Sequence, residues 1–174
     1  MATRSYTSRR ELEVYHFSPA FTLLVPLLLL FLQAFLPKIF PRLLILDLPL
    51  IAVIFFAVAR RSPIAGSITG ALIGLGQDLL SGQPVGINGM AKAIVGYAAS
   101  SIGVQVDVEN WTTRVLLTFG CSLLHSALLY LINRTLLGIH AYHLQWLHEL
   151  ARAGANTAVA LPLLLVLDRF KHRD

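Results

Sequence analysis

Charge is what this chain has least of. Only 13% of its 174 residues are Asp, Glu, Lys or Arg, and 56% are hydrophobic. Soluble domains carry about a quarter charged residues. That scarcity excludes an ordinary soluble domain. Long apolar runs between short charged clusters point instead to a helical protein that crosses the membrane several times. Cysteine is nearly absent as well. Cys121 stands alone in an apolar segment, so an internal disulfide is excluded and no redox compartment follows. It reads as a small buried hydrophobe. The chain also lacks the common signatures of catalysis. It has no G-x-S-x-G, no G-x-x-x-x-G-K-[ST] and no H-E-x-x-H, which leaves hydrolase, ATPase and metalloprotease mechanisms without support. No small-residue cleavage site follows the first apolar run, which is expected to be a retained helix.

What is present is apolar sequence in six stretches. The pattern predicts an all-α integral membrane protein, a six-helix transmembrane bundle spanning about 17–36, 43–59, 64–80, 89–104, 115–136 and 154–167. Residues 1–16 form a polar cytoplasmic head, in which Ser8-Arg9-Arg10-Glu11 fits a helix capping box. Residues 169–174 form a cytoplasmic tail. Pro26 is expected to kink the first span, and Asp47 to begin the second helix, where its charge suits the helix dipole. Residues 140–149 mix His, Gln and Glu with Leu, Tyr and Trp, which predicts a short amphipathic helix at the outer interface.

The net charge of +5 sits at segment ends, where membrane topology explains it better than nucleic acid does. With the N terminus inside, Arg4, Arg9, Arg10, Arg60, Arg61, Arg114, Arg169, Lys171 and Arg173 fall on the inner side. Lys38, Arg42, Arg134 and Arg152 fall outside. The excess predicts both termini in the cytoplasm.

The stretch from Gly66 to Gly103 organises the rest. Gly66, Gly70 and Gly74 recur every fourth residue and so form one helix stripe. Such a stripe lets backbones approach closely, either within the bundle or against another membrane protein. Asp78 near the end of this helix and Lys92 near the start of the next are costly in a membrane. A hairpin through the Gly- and Pro-rich turn would let Asp78 and Lys92 pair; the alternatives are separate snorkelling or a proton relay. Gln77, Asn88, Ser81 and Tyr97 are expected to extend a polar network around the turn. His125 reads as a neutral, hydrogen-bonded histidine. His140, His143 and His148 lack metal-ligand spacing. No catalytic group and no metal site is expected.

The run Gln77-Asp78-Leu79-Leu80-Ser81-Gly82-Gln83-Pro84-Val85-Gly86-Ile87-Asn88-Gly89, followed by Lys92 and Gly96-Tyr97, resembles the signature of the MreD rod shape-determining family. The likeness is close over about 35 residues and holds in outline elsewhere. It implies a fold similar to the substrate-binding S component of energy-coupling-factor transporters. It implies residence in the bacterial cytoplasmic membrane, no cofactor and no catalytic activity. The implied role is a scaffold of the cell-wall elongation complex that binds the transmembrane helix of MreC. Through MreC it would meet MreB, RodA and a class B penicillin-binding protein. The sequence leaves a homo-oligomer open. The competing readings are a small-solute-binding subunit of a transporter and, more weakly, an enzyme acting on lipid-linked substrates.

Overall fold

In the computed structural model, six helices follow one another through short links. They are α1 (Pro19–Ile39), α2 (Leu48–Arg60), α3 (Pro63–Ser81), α4 (Ile87–Gln105), α5 (Trp111–Thr135) and α6 (Trp146–Asp168), with a 3-10 turn at Pro41–Ile45 before α2. The described residues are 18–82, 84–106, 108, 110–138 and 145–169. The expected head, its capping box, His140, His143 and most of the expected tail lie outside them.

Four of the helices start with a side-chain cap. The Ser18, Asp47, Ser62 and Asn110 side chains accept from the backbone N–H groups of Phe21, Leu50, Ala65 and Thr112. Proline occupies the first or second position of α1, α2 and α3, where its missing N–H costs nothing. α3 ends at Gly82, whose φ of 65° is the left-handed turn that glycine adopts without strain.

α2 is the axis of the bundle. Nearly all of its residues are buried, and it touches every other helix. Its 13 residues reach only about 20 Å at 1.5 Å per residue, short of the hydrocarbon thickness. It is an inner helix wrapped by its neighbours. Phe56, Ile51 and Val53 pack against Leu29 and Leu30 of α1, Ile73 of α3 and Leu164 of α6. Leu50, Ile54 and Ala57 pack against Val95 and Ala99 of α4 and Leu117 and Cys121 of α5. α1, α5 and α6 are long and apolar enough to cross a membrane. The most extensive pairing is α3 with α4.

Several boundaries differ from the sequence expectation: α1 runs on to Ile39 rather than 36, and α5 begins at Trp111 rather than 115. The second segment does not run as one helix from residue 43: a 3-10 turn ends at Ile45 and the helix restarts after Asp47, whose side chain caps it. α4 is slightly longer than expected. The sixth segment begins at Trp146, not 154, so residues 146–149 are the first turn of α6 and not part of a separate interfacial helix; residues 139–144 lie outside the described set. The reason is visible in the buried face. Glu149, Ala153, Asn156, Thr157, Ala160, Leu164 and Leu167 form one continuous stripe at helical spacing. Its first half is polar or small, so hydropathy alone conceals it.

Candidate functional site

The glycine stripe faces inward. Gly66, Gly70 and Gly74 are buried, and each lies on the backbone of α4. A Cβ at Gly70 would fall on the carbonyl of Lys92, one at Gly74 on that of Asn88, and one at Gly66 on Gly96 and Ser100. Gly96 answers from the other side, meeting Gly66 and Val53. The two helices therefore touch backbone to backbone, and no face of the stripe is left for an outside helix. Ser100 adds a hydroxyl bond from α4 to the carbonyl of Ala57 in α2, 2.6 Å.

This close approach sets the position of Asp78 against the start of α4. The first N–H groups of a helix have no partner within it. Asp78 supplies one: its carboxylate accepts from the N–H groups of Gly86 (2.9 Å), Asn88 (3.1 Å) and Gly89 (3.3 Å), and from Asn88 Nδ2 (2.8 Å). The side chain is fully buried, and its negative charge lies where the helix dipole is positive. The expected ion pair between Asp78 and Lys92 does not form, because the carboxylate is already engaged by these donors.

Lys92 turns instead to Asp47, with Nζ 2.7 Å from Oδ2. Its other neighbours are Asn88 Oδ1 at 3.3 Å and His125 Nε2 at 3.2 Å. An ammonium only donates, so His125 Nε2 accepts and the ring proton resides on Nδ1. That nitrogen lies 3.6 Å from Asp47 Oδ2. Asp47 is held in turn by α6: its backbone N–H donates to Asn156 Oδ1 at 2.9 Å, and Asn156 Nδ2 reaches Ser122 Oγ at 3.4 Å. Asp47, Lys92 and His125 are each about 1% exposed or less, so no water screens them. A charge buried this deeply persists only with its partner and its hydrogen bonds in place. The triad ties the start of α2 to α4 and α5, and Asn156 ties it to α6.

Not every expected member of the network takes part. Gln77 makes no bond to Asp78, and its Oε1 is buried without a partner. The Ser81 hydroxyl donates back to the carbonyl of Gln77 at 2.7 Å. Tyr97 is 56% exposed and faces away. Conversely, Asn156, Ser122 and the reach of Asp47 across 45 residues to Lys92 were not legible. The one available signal was arithmetic: Asp47, Asp78 and Lys92 share the apolar segments, and a lysine cannot serve both acids when one is occupied by backbone.

Glu149 is buried in the same end of the bundle and accepts from the Ser126 hydroxyl at 2.5 Å. Among the described residues no three His, Cys, Asp or Glu side chains gather as metal ligands would. The opposite end is simpler. Arg114 pairs with Asp168 at 2.5 Å and donates to the carbonyl of Val108, and Arg60 reaches Thr22 and Thr69. Among the described residues, Asp47, Asp78 and Glu149 each accept from a donor on another helix, an arrangement that can hold helices in register.

A family model described as rod shape-determining protein MreD matches residues 14–170, nearly the whole chain. No curated protein and no solved structure matches it.

Proposed function

The chain belongs to the MreD family of rod shape-determining proteins, and from that premise we propose that it is a non-enzymatic scaffold of the cell-wall elongation complex in the bacterial inner membrane. Membership makes it a component of the machinery that determines rod shape. The finer reading is that it binds the transmembrane helix of MreC and, through MreC, works beside MreB, RodA and a class B penicillin-binding protein. Both termini face the cytoplasm in this reading, with Arg60 and Arg61 on the same side.

The observation that carries it is how the buried charges are used. Asp47 is bonded to Lys92, Asp78 to the start of α4 and Glu149 to Ser126. Each bond joins one helix to another, and none leaves a reactive group poised. A rigid bundle with an apolar exterior suits a protein that presents surfaces to other membrane helices. α1 is the open candidate: 11% of its span is buried, against 39% for α5 and 33% for α6. Its outer face carries Leu24, Leu28, Phe31 and Phe35.

The test is a mild-detergent pull-down from native membranes, with mass spectrometry of proteins and small molecules together. The expected recovery is an MreC-like single-span protein with RodA and its transpeptidase. Recovery of an ATP-hydrolysing module and no wall-synthesis partner would refute the scaffold reading and favour a transporter subunit.

A further inference from the structure

A groove of about 840 Å³ runs along the outside of the bundle between α1 and α3. Leu23 and Leu27 of α1 and Ile68 and Leu72 of α3 stand exposed along it, and Leu30 and Ile73 beneath them are buried. The lining extends from Thr22 to Leu30 and from Ala65 to Ile73, about 12 Å along each helix at 1.5 Å per residue. That is most of one leaflet's share of a hydrocarbon core about 30 Å thick. The groove lies on a different face of α1 from Leu24, Leu28, Phe31 and Phe35.

One end of the groove is charged. Arg60, the last residue of α2, is partly exposed there and is the single charged side chain among the described residues of the lining. Its guanidinium lies over the Phe56 ring, 5.8 Å from the centroid. It donates to the hydroxyls of Thr22 at 3.3 Å and Thr69 at 3.4 Å, one on each wall. These neutral hydroxyls take two of its five donors. They hold the fork between the walls without balancing its charge. Among the described residues no carboxylate pairs with Arg60, and Asp168, the acid at this end, is engaged by Arg114. α1 and α3 both start here, at Pro19 and Pro63, so their dipoles add partial positive charge beside the guanidinium.

We propose that this groove seats one acyl chain of an anionic phospholipid, with the lipid phosphate on the Arg60 guanidinium. The apolar length takes the chain, and the cation stands where the chain meets the headgroup. A planar fork of donors suits two phosphate oxygens. A net negative headgroup suits an end that also carries Arg61 and Arg169. An apolar partner helix would fill the length of the groove and leave the Arg60 charge unmatched. The site does not depend on the scaffold reading, since a lipid in this groove leaves the outer face of α1 free.

The experiment follows thermal unfolding of the purified full chain in dodecyl maltoside, with dioleoyl phosphatidylglycerol or dioleoyl phosphatidylcholine added at equal mole fraction. The expected result is a saturable rise in midpoint with phosphatidylglycerol beyond that with phosphatidylcholine. Arg60→Gln should weaken its apparent affinity about tenfold. Ile68→Trp, which sets a large ring across the groove from an exposed wall position, should abolish it. Arg169→Gln removes a positive charge from the same end outside the groove and should leave the rise unchanged. No preference for phosphatidylglycerol overturns the proposal, and is the outcome expected of a groove filled by a partner helix or by residues 1–17. An equal rise in wild type and Ile68→Trp, or equal losses in Arg60→Gln and Arg169→Gln, also overturns it and assigns the binding to the basic surface at large. Should Arg60→Gln fail to fold, Ile68→Trp and Arg169→Gln decide. Partner recovery is no part of the readout, so loss of the scaffold reading would leave this result standing.

Discussion

The two ends of the bundle handle charge in opposite ways. At the end where α2, α4 and α6 begin, Asp47, Asp78 and Lys92 are buried, with 1%, 0% and 0% of their surface exposed. At the other end Arg60, Arg61 and Arg114 are only half-buried and Arg169 is exposed. At the first end Asp47, Asp78 and Lys92 lie beyond the reach of bulk solvent, so each needs a partner at hydrogen-bond distance. At the second, partly exposed guanidinium groups bond hydroxyls and a carbonyl as well as one carboxylate, and their long stems leave them room to adjust. A mismatch is therefore costlier at the first end. The glycine stripe belongs with the first kind, because the contact it makes is between backbones that have no freedom to move aside.

Breaking the buried pair should have the largest effect. Lys92→Met leaves Asp47 buried without its counter-charge and should destabilise the protein by about 3–5 kcal/mol, read from unfolding in detergent. Asp47→Asn combined with Lys92→Met should recover part of the loss. The exchange of Asp78→Lys with Lys92→Asp should recover nothing, since that carboxylate serves the start of α4; recovery there would place Lys92 on the wrong partner. Next comes the backbone contact. Gly70→Ala drives a methyl group into the carbonyl of Lys92, an overpacking expected to cost about 1–3 kcal/mol. Gly120→Ala, with nothing within 4 Å of its new Cβ, should be neutral or gain up to about 1 kcal/mol of helix propensity. Equal losses at the two glycines would mean that α3 and α4 do not touch. The smallest effect is expected at the basic end. Arg114→Ala removes a partly exposed ion pair with Asp168 and should cost about 1 kcal/mol or less, weakening further with added salt in wild type. A loss comparable to that of Lys92→Met would erase the contrast between the ends.

Much of this was legible from local pattern. Six apolar segments, the start of α2 at Asp47 and the close-packing stripe at Gly66, Gly70 and Gly74 all follow from spacing and residue type along a single helix. The start of α6 was missed for a physical reason: its first buried residues, Glu149, Ala153 and Asn156, are polar or small, and hydropathy does not register a buried polar face. The partner of Lys92 was missed for another. Asp78 is nearer in sequence, across one turn, but its oxygens are filled by the N–H groups of Gly86, Asn88 and Gly89, a competition invisible until the turn is folded.

The amino-acid sequence by itself determined that this is an all-helical chain with apolar segments long enough to cross a membrane, where its helices lie to within a few residues except at the start of α6, which face of α3 comes closest to a neighbour, and through the hairpin motif its family. Those properties depend on periodicity and on residue types close together in the chain. Only the tertiary structure decided that Asp47 holds Lys92, that Asp78 caps α4 and that α2 is the enclosed axis. Asp47 and Lys92 lie 45 residues apart, and which acid the lysine meets turns on which carboxylate the folded turn has already filled.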